Sequence, residues 1–242
     1  MIKLSHPWSY RPHDFPTKLA ATLLTWLLAC TLTVLNTNAR ASEPDQQGVA
    51  PRAGVILVVG DSLSSEYGIK RSTGWVQLMR NRLKERLKLP PEVINASISG
   101  DTTSGGLTRL PALLKQHKPS VVIIELGGND ALRGLSLQMT RQNLQRMIDL
   151  AKAAGASVIL TGIQIPSNYG PVYTEAFKSL YGEVARQSGA LLVPFFLAGL
   201  ETDRDLFIED GIHPSEAAQP ILLDNVWPAI DQALTALPKS PS

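Results

Sequence analysis

A run of apolar, mostly β-branched residues that stops at a glycine limits the folds open to this chain more than any other segment. Residues 55–59 read Val-Ile-Leu-Val-Val without polar alternation, and Gly60-Asp61-Ser62 follows directly. Such a run is typical of a strand that is buried on both faces, as in a parallel sheet. Ser62 would then lie just past the carboxyl end of the strand, where open α/β sheets bind ligands. The segment is either a plain turn, since all three residue types favour turns, or the place of a nucleophilic serine.

Further strand patterns follow along the chain, and helical patterns separate them. Strands are predicted at 54–59, 92–96, 120–126, 157–162 and 190–194. Apolar residues at helical spacing predict helices at 74–89, 107–118, 140–154, 173–188 and 215–234. This alternation predicts an α/β fold in which helices cover both faces of one parallel sheet through right-handed crossovers. The pattern fits a single domain of about 190 residues.

The first 41 residues have the pattern of an export signal. Basic residues lead into an apolar run at 19–35, and Ala39-Arg40-Ala41 is a small-x-small cleavage site. The prediction is a protein of the periplasm or the exterior, with a signal peptide at 1–41, a flexible lead-in at 42–52, a folded domain at 53–236 and a tail at 237–242. Two alternatives stay open: the apolar run is kept as an anchor, or a lipid is attached at Cys30.

The charge balance argues against a nucleic-acid or membrane-surface partner. The whole chain has a formal net charge of +2, but residues 1–41 hold four basic residues and one acidic residue, so the remainder has a net charge of −1. No basic excess is left to bind phosphates or anionic lipid. The basic face of the 74–89 helix lacks interleaved aromatic residues, so we interpret it as solvated.

Small polar residues follow three of the predicted strands, at 60–62, 99–101 and 127–130. The carboxyl ends of parallel strands share one edge of the sheet, so we expect these loops to meet. A nucleophilic Ser62 needs a base beside it and donors that stabilise an oxyanion. The N–H of Gly100 and the side-chain amide of Asn129 fit the donor role. The alternative is that they are a loop glycine and a turn asparagine.

Two histidines follow the predicted cleavage site, and only one is placed to serve Ser62. His117 ends a helix ahead of a strand, at the opposite edge of the sheet, which predicts a surface position. His213 follows Asp210 by three residues, and a tight turn would let Asp210 accept the Nδ1 proton while Nε2 faces Ser62. An ordinary surface turn is the alternative. One imidazole and one carboxylate are too few for a metal site, and cleavage would remove Cys30, the only cysteine.

Taken in order, four short motifs resemble the SGNH, or GDSL, hydrolases. They are Gly60-Asp61-Ser62-Leu63, Gly100, Gly127-x-Asn129-Asp130 and Asp210-x-x-His213. Longer strings at 95–101, 109–117, 125–130 and 210–214 are similar to the bacterial thioesterase I / protease I / lysophospholipase L1 branch, also called arylesterases. Because residue 64 is serine, Ser62 does not lie in the Gly-x-Ser-x-Gly motif of the larger α/β-hydrolase class.

The resemblance implies a role for each matching residue. Ser62 would be the nucleophile, His213 the general base and then acid, and Asp210 the residue that orients His213. The N–H groups of Ser62 and Gly100 and the amide of Asn129 would form the oxyanion hole. The implied fold is a flavodoxin-like three-layer α/β/α sandwich with a five-stranded parallel sheet, and no cofactor is expected.

The resemblance also places an acyl chain near the loop after the fourth strand. In this chain the loop contains four candidate substrate-binding residues, Ile163, Ile165, Pro166 and Tyr169. A plain surface loop is the alternative, since loops often carry function but most loop residues do not.

The leading hypothesis is an exported serine esterase that cleaves acyl esters and thioesters, such as lysophospholipids, aryl esters and acyl-CoA, through an acyl-serine intermediate. We expect a monomer that acts on a small-molecule or lipid ester, binds no nucleic acid and has no stable membrane span in its mature form. A carbohydrate O-deacetylase would instead prefer acetyl over longer acyl groups. A non-catalytic lipid-binding protein on the same scaffold would bind without turnover.

Overall fold

The computed structural model describes residues 54–237. The predicted signal peptide at 1–41, the alternative lipid site at Cys30 and the lead-in at 42–52 lie outside the described residues, and so do residues 238–242 of the predicted tail. Among the helices of residues 54–237, none combines the length and the apolar content that a bilayer-crossing segment needs.

The described residues are built on a five-stranded sheet in which all neighbouring strands run parallel. Its strands are β1 Val55–Gly60, β2 Glu92–Asn95, β3 Val121–Glu125, β4 Ser157–Thr161 and β5 Leu191–Val193. They lie side by side in the order β2-β1-β3-β4-β5. This order confirms the predicted flavodoxin-like parallel sheet. The register pairs Gly60 with Glu125, so the carboxyl ends of the two central strands lie side by side.

Helices cover both faces of the sheet. They are α1 Trp75–Arg86, α2 Thr103–His117, α3 Gly128–Leu132, α4 Leu137–Ala153, α5 Pro171–Ser188 and α6 Gln219–Thr235. Helix α1 packs against α6, while α4 packs against both α2 and α5. The result is three layers, with α1 and α6 on one side of the sheet and α2, α4 and α5 on the other. The predicted α/β/α sandwich is therefore confirmed.

The core lies in and around the two central strands. Every residue of β3 is buried, and so is every residue of β1 after Val55. Apolar strands without alternation are buried in this way only when helices cover both faces of a sheet. The buried strand β1 brings Ser62 to the carboxyl edge. His117 ends α2, directly before β3, and thus lies toward the opposite edge, as predicted.

Helix α3 is an α-helix that the sequence pattern does not predict, because Gly-Gly-Asn-Asp is typical of a turn. Gly127 precedes the helix with a φ of +116°, a conformation that glycine adopts easily. A Cβ atom at this position would lie 2.3 Å from the Tyr181 hydroxyl oxygen. Backbone strain and steric contact therefore both favour glycine here.

Four helix ends differ from the prediction by three or four residues. Helix α2 begins at Thr103 rather than at residue 107, and α4 begins at Leu137 rather than at residue 140. Helix α1 ends at Arg86 rather than at residue 89, because Leu87 already has an extended backbone (φ −120°, ψ 133°) ahead of the two prolines. A short 3₁₀ turn at Glu216–Ala218 precedes α6, which begins at Gln219 rather than at residue 215.

The basic face of α1 is only partly solvated. Arg82 forms an ion pair of 2.7 Å with Asp224, and the Arg82 and Arg86 guanidinium groups lie 5.0 and 5.2 Å from the Trp227 ring centre. Two of its arginines therefore contact α6 of the same chain, so the expectation of a solvated face is met only in part.

Candidate active site

The candidate active site lies at the carboxyl edge of the sheet, where Ser62 follows β1. His213 Nε2 is 2.8 Å from Ser62 Oγ, and His213 Nδ1 is 2.6 Å from Asp210 Oδ2. The structure thus brings together Ser62 and His213 across 151 positions of sequence. When Nδ1–H donates to the carboxylate, the lone pair of Nε2 faces the serine hydroxyl, which is the tautomer that a general base needs.

Local hydrogen bonds fold the turn that carries His213. The Ile208 N–H donates to the His213 carbonyl oxygen at 2.9 Å, and Gly211 takes a φ of +65° between them. Asp210 Oδ1 accepts the N–H groups of Ile212 and His213 at 2.8 and 2.9 Å. The carboxylate is therefore held on both oxygens, one by the backbone and the other by the imidazole.

The environment of Asp210 keeps it ionised. Burial raises the pKa of Asp210, but hydrogen bonds from the His213 N–H, the His213 ring and the Ile212 N–H outweigh this effect and hold the pKa below its ordinary value. An ionised Asp210 can stabilise the imidazolium that forms when His213 takes up a proton. The ring of Tyr67 packs against that imidazole, with 4.5 Å between ring centres.

The predicted oxyanion donors lie on the two loops that flank Ser62. Asn129 belongs to α3, and its Nδ2 donates to Asp61 Oδ2 at 2.9 Å. Gly100 lies in the loop between β2 and α2 with a φ of +76°, and its carbonyl oxygen accepts from Arg133 Nη2 at 2.7 Å. Since Arg133 directly follows α3, this bond joins the two donor loops. The roles of Gly100 and Asn129 toward an oxyanion stay a prediction.

The side chains of Arg109 and Asp130 link the loop after β2 and the start of α2 to the neighbouring loops through hydrogen bonds. Arg109 forms an ion pair of 2.9 Å with Asp101 and donates to the Gly60 carbonyl oxygen at 3.3 Å. Asp130 is 2% exposed and accepts the Thr103 N–H at 2.9 Å, which fixes the start of α2 against α3. The loops after β1, β2 and β3 are thus bonded to one another, as the expected convergence at one sheet edge requires.

Two carboxyl groups are buried directly behind Ser62. Asp61 is 3% exposed, and Glu125, the last residue of β3, is fully buried. Glu125 Oε2 accepts from Ser64 Oγ at 2.8 Å and from the Asp61 N–H at 3.3 Å. Burial raises the pKa of Asp61 to about 6. Burial, and after it the Asp61 charge, raises the pKa of Glu125 well above its ordinary value.

The loop after β4 divides into a buried and an exposed part. Ile163 and Ile165 are only 5% and 7% exposed and belong to the hydrophobic core, whereas Pro166 and Tyr169 are exposed. A Cβ atom on Gly128 would lie 3.8 Å from both Asp61 Oδ2 and Ile163 Cγ2, so Ile163 is adjacent to the site. Substrate binding by these residues stays a prediction.

Next to this loop an apolar surface groove of about 390 Å³ opens. It is lined by Leu137, Tyr169, Gly170, Pro171, Val172, Tyr173 and Ala176. The Tyr169 and Tyr173 rings stack with centres 6.5 Å apart, and Val172 is 85% exposed. A hydrocarbon chain could lie here against aromatic and aliphatic surface.

Metal-binding geometry is not found in the described part of the chain. Within residues 54–237, no group of three or more His, Cys, Asp or Glu side chains is arranged to hold a metal ion.

Sequence reasoning overlooks three residues of the site. The sequence indicates Asp61 only as part of a motif or turn, and Glu125 only as part of a strand and of the 125–130 string, with no role for either side chain. A signal for Glu125 exists, because a lone carboxylate in an otherwise apolar strand pattern is unusual unless it is paired. Arg133 carries no such signal, since nothing in the sequence indicates that it reaches Gly100.

The chain resembles known proteins in both sequence and fold. The GDSL-like Lipase/Acylhydrolase family matches residues 58–220. The chain is 53% identical over 182 residues to the esterase TesA of Pseudomonas aeruginosa, a match that covers 75% of this chain and 90% of that protein. It is 43% identical over 175 residues to thioesterase 1/protease 1/lysophospholipase L1 of Escherichia coli K12, covering 72% of this chain and 82% of that protein. A crystal structure of TesA, 53% identical, superimposes with a TM-score of 0.72 and covers 74% of this chain and 99% of that one.

Proposed function

The chain belongs to the GDSL-like lipase/acylhydrolase family, and we propose that it is an exported serine esterase that cleaves acyl esters and thioesters through an acyl-serine intermediate. The observation that carries this proposal is the hydrogen-bonded series Ser62, His213 and Asp210, at 2.8 and 2.6 Å. The names of its relatives, an esterase and a thioesterase that is also a lysophospholipase, support ester and thioester bonds as the targets.

Acylation begins at Ser62. Its Oγ attacks the carbonyl carbon of the ester while His213 Nε2 accepts the hydroxyl proton, over a starting distance of 2.8 Å. The electrons of the carbonyl double bond move to the oxygen and form a tetrahedral oxyanion. When this intermediate collapses, the bond to the leaving alcohol or thiol breaks and His213 returns the proton to the leaving oxygen or sulfur.

Deacylation repeats the same steps with water. His213 Nε2 accepts a proton from water as its oxygen attacks the acyl-serine carbonyl, and the second tetrahedral intermediate expels Ser62. His213 gives the proton back to Ser62 Oγ, and the carboxylic acid leaves. Asp210 stabilises the transient imidazolium in both halves, and it stays ionised because its hydrogen bonds lower its pKa despite partial burial.

The oxyanion is assigned three donors in this proposal, the N–H groups of Ser62 and Gly100 and the side-chain amide of Asn129. Donors that are already oriented before the charge develops stabilise it without reorganisation. Bonds that fix both donor loops support this assignment: Asn129 is bonded to Asp61, and Gly100 to Arg133.

For the acyl chain, the apolar groove beside Tyr169 is the favoured location. The groove presents almost entirely aliphatic and aromatic side chains, which suits a lipid or aryl acyl group. Export is part of the proposal because residues 1–41 combine a basic leader, an apolar run and a small-x-small site. The protein would therefore meet its esters in the periplasm or outside the cell.

The test is hydrolysis of p-nitrophenyl esters from acetyl to dodecanoyl by the purified protein, by Ser62→Ala and by Ser65→Ala as a matched control. Loss of a triad serine typically lowers kcat by several orders of magnitude. We expect turnover by the wild type and Ser65→Ala but not by Ser62→Ala, with circular dichroism confirming that all three are folded. The intact mass of protein recovered outside the cytoplasm, beginning at Ser42, tests export.

Other outcomes select the other hypotheses. Turnover confined to acetyl esters would favour a carbohydrate O-deacetylase. Equally slow hydrolysis by the wild type and Ser62→Ala, together with fatty-acid binding, would favour a lipid-binding protein and contradict the proposed mechanism.

A further inference from the structure

Asp61 and Asn129 form a contact behind the nucleophile that the reaction steps above leave unused. Asn129 Nδ2 donates to Asp61 Oδ2 at 2.9 Å across 68 positions of sequence. Asp61 is 3% exposed and directly precedes Ser62. A buried carboxylate accepts hydrogen bonds and cannot donate them, so it discriminates between the two ends of a neighbouring amide.

We propose that Asp61 is a positioning residue that acts through Asn129: its carboxylate fixes which end of the Asn129 amide faces it and so directs the second N–H of the amide toward the oxyanion. This inference rests on the proposed function, because it assigns Asn129 to the oxyanion hole.

The Asp61 carboxylate is itself held in place on its other oxygen. Its Oδ1 accepts the Leu63 N–H at 3.1 Å, while Oδ2 accepts Asn129. One carboxylate oxygen thus accepts from the backbone of the loop that carries Ser62, and the other accepts from Asn129 of α3. A carbonyl oxygen of Asn129 turned toward Oδ2 would place two acceptors against each other in a buried site, so this orientation is strongly disfavoured.

Glu125 keeps the negative charge of the buried pair on Asp61. Glu125 Oε1 is buried and has no hydrogen-bond partner among the described residues, whereas both Asp61 carboxyl oxygens accept hydrogen bonds. Burial and the nearby Asp61 charge raise the pKa of Glu125 well above its ordinary value, while the pKa of Asp61 rises only to about 6. The negative charge of the pair is therefore favoured on Asp61, the carboxyl that faces Asn129.

Asp61→Asn tests the orientation directly. In this variant the new amide must still offer an oxygen to the Leu63 N–H, so its NH₂ group would face Asn129 and drive the Asn129 amide to reverse. Loss of one oxyanion donor lowers kcat by about 10²- to 10³-fold. We expect a kcat loss of this size for p-nitrophenyl butyrate with little change in KM, and no loss in the matched exposed variant Asp224→Asn.

A double-mutant cycle separates action through Asn129 from a structural effect on Ser62. If Asp61 acts through Asn129, then Asp61→Asn combined with Asn129→Ala has the kcat of Asn129→Ala alone, to within about 3-fold. Losses that multiply in the double variant would overturn the proposal. Ser62→Ala is assayed in parallel. If that variant keeps the full wild-type activity, the proposed function itself is contradicted, whatever the result of the double-mutant cycle.

Nuclear magnetic resonance of the wild type covers the case in which Asp61→Asn does not fold. We expect one Asn129 Nδ2–H, assigned by its absence from Asn129→Ala, to exchange slowly with solvent and to shift downfield at neutral pH. Equal, fast exchange of both Nδ2–H protons would overturn the proposal.

Discussion

The substitution Asp210→Asn isolates the hydrogen bond that sets the tautomer of His213. Asp210 Oδ1 accepts two backbone N–H groups at 2.8 and 2.9 Å, so the amide oxygen of an asparagine must take that place. The asparagine NH₂ group then faces His213 Nδ1, where the carboxylate oxygen lies at 2.6 Å in the native protein. His213 must accept at Nδ1 and carry its proton on Nε2, which leaves no lone pair for the Ser62 hydroxyl.

The expected loss follows from that tautomer. A triad whose histidine is held in the wrong tautomer loses about 10⁴-fold in kcat. In Asp210→Ala, water can hydrogen-bond to His213 Nδ1 in either tautomer, so this variant should retain at least as much activity as Asp210→Asn. Asp210→Ala also removes the acceptor of two backbone N–H groups. Each such bond contributes about 1 kcal/mol to stability, so the alanine variant, but not the asparagine variant, should unfold at lower urea concentration.

The assay is steady-state hydrolysis of p-nitrophenyl butyrate at pH 8 with both variants, beside urea unfolding followed by circular dichroism. An Asp210→Asn protein that keeps a tenth or more of the wild-type kcat would refute the tautomer argument. ¹⁵N chemical shifts of the His213 ring provide a direct check, since they distinguish an Nδ1–H from an Nε2–H imidazole.

Two further predictions concern groups around the site. Arg133→Ala removes the exposed bond to the Gly100 carbonyl oxygen; we expect kcat to fall about 10-fold or less while stability changes by less than about 0.5 kcal/mol, and an unchanged kcat in the same ester assay would contradict this. Burial raises the pKa of Glu125, so this carboxyl binds a proton more tightly in the folded than in the unfolded chain. As the pH rises above the ordinary pKa of a glutamate, the titration of Glu125 therefore lowers the free energy of unfolding. Glu125→Gln should lose less stability than the wild type between about pH 5 and about pH 8, and equal slopes in urea unfolding across that range would count against it.

Local sequence predicted the frame of the molecule well. The apolar runs at 55–59 and 120–126 predict doubly buried strands, and both central strands are buried as expected. Burial of a β-branched run depends mainly on its own composition, so the pattern is readable without knowledge of neighbours. Placing the polar loops at one edge then needs only the rule that parallel strands end together.

The candidate triad can be predicted from the sequence for a related reason. Asp210 and His213 are three residues apart, so a single turn can bring their side chains together, and the only other histidine of the predicted mature chain lies at the end of α2. Ser62 can be identified as the serine that His213 contacts because it lies just past the first buried strand, β1, at the carboxyl edge of the sheet. The 2.8 Å contact itself is a property of the folded chain.

Neighbouring residues in the sequence account for the order of the strands and of every α-helix except α3, and for the turn that pairs Asp210 with His213. The rule that parallel strands end together then gives the edge at which the polar loops meet. Three contacts, in contrast, form only in the folded chain: Asn129 with Asp61 across 68 positions, Glu125 with the Asp61 N–H across 64, and Arg133 with Gly100 across 33. These contacts depend on strand register, on the short helix α3 and on burial, which changes the pKa values of Asp61 and Glu125. No local pattern encodes them, because their energy arises only when separate loops are packed against each other away from water.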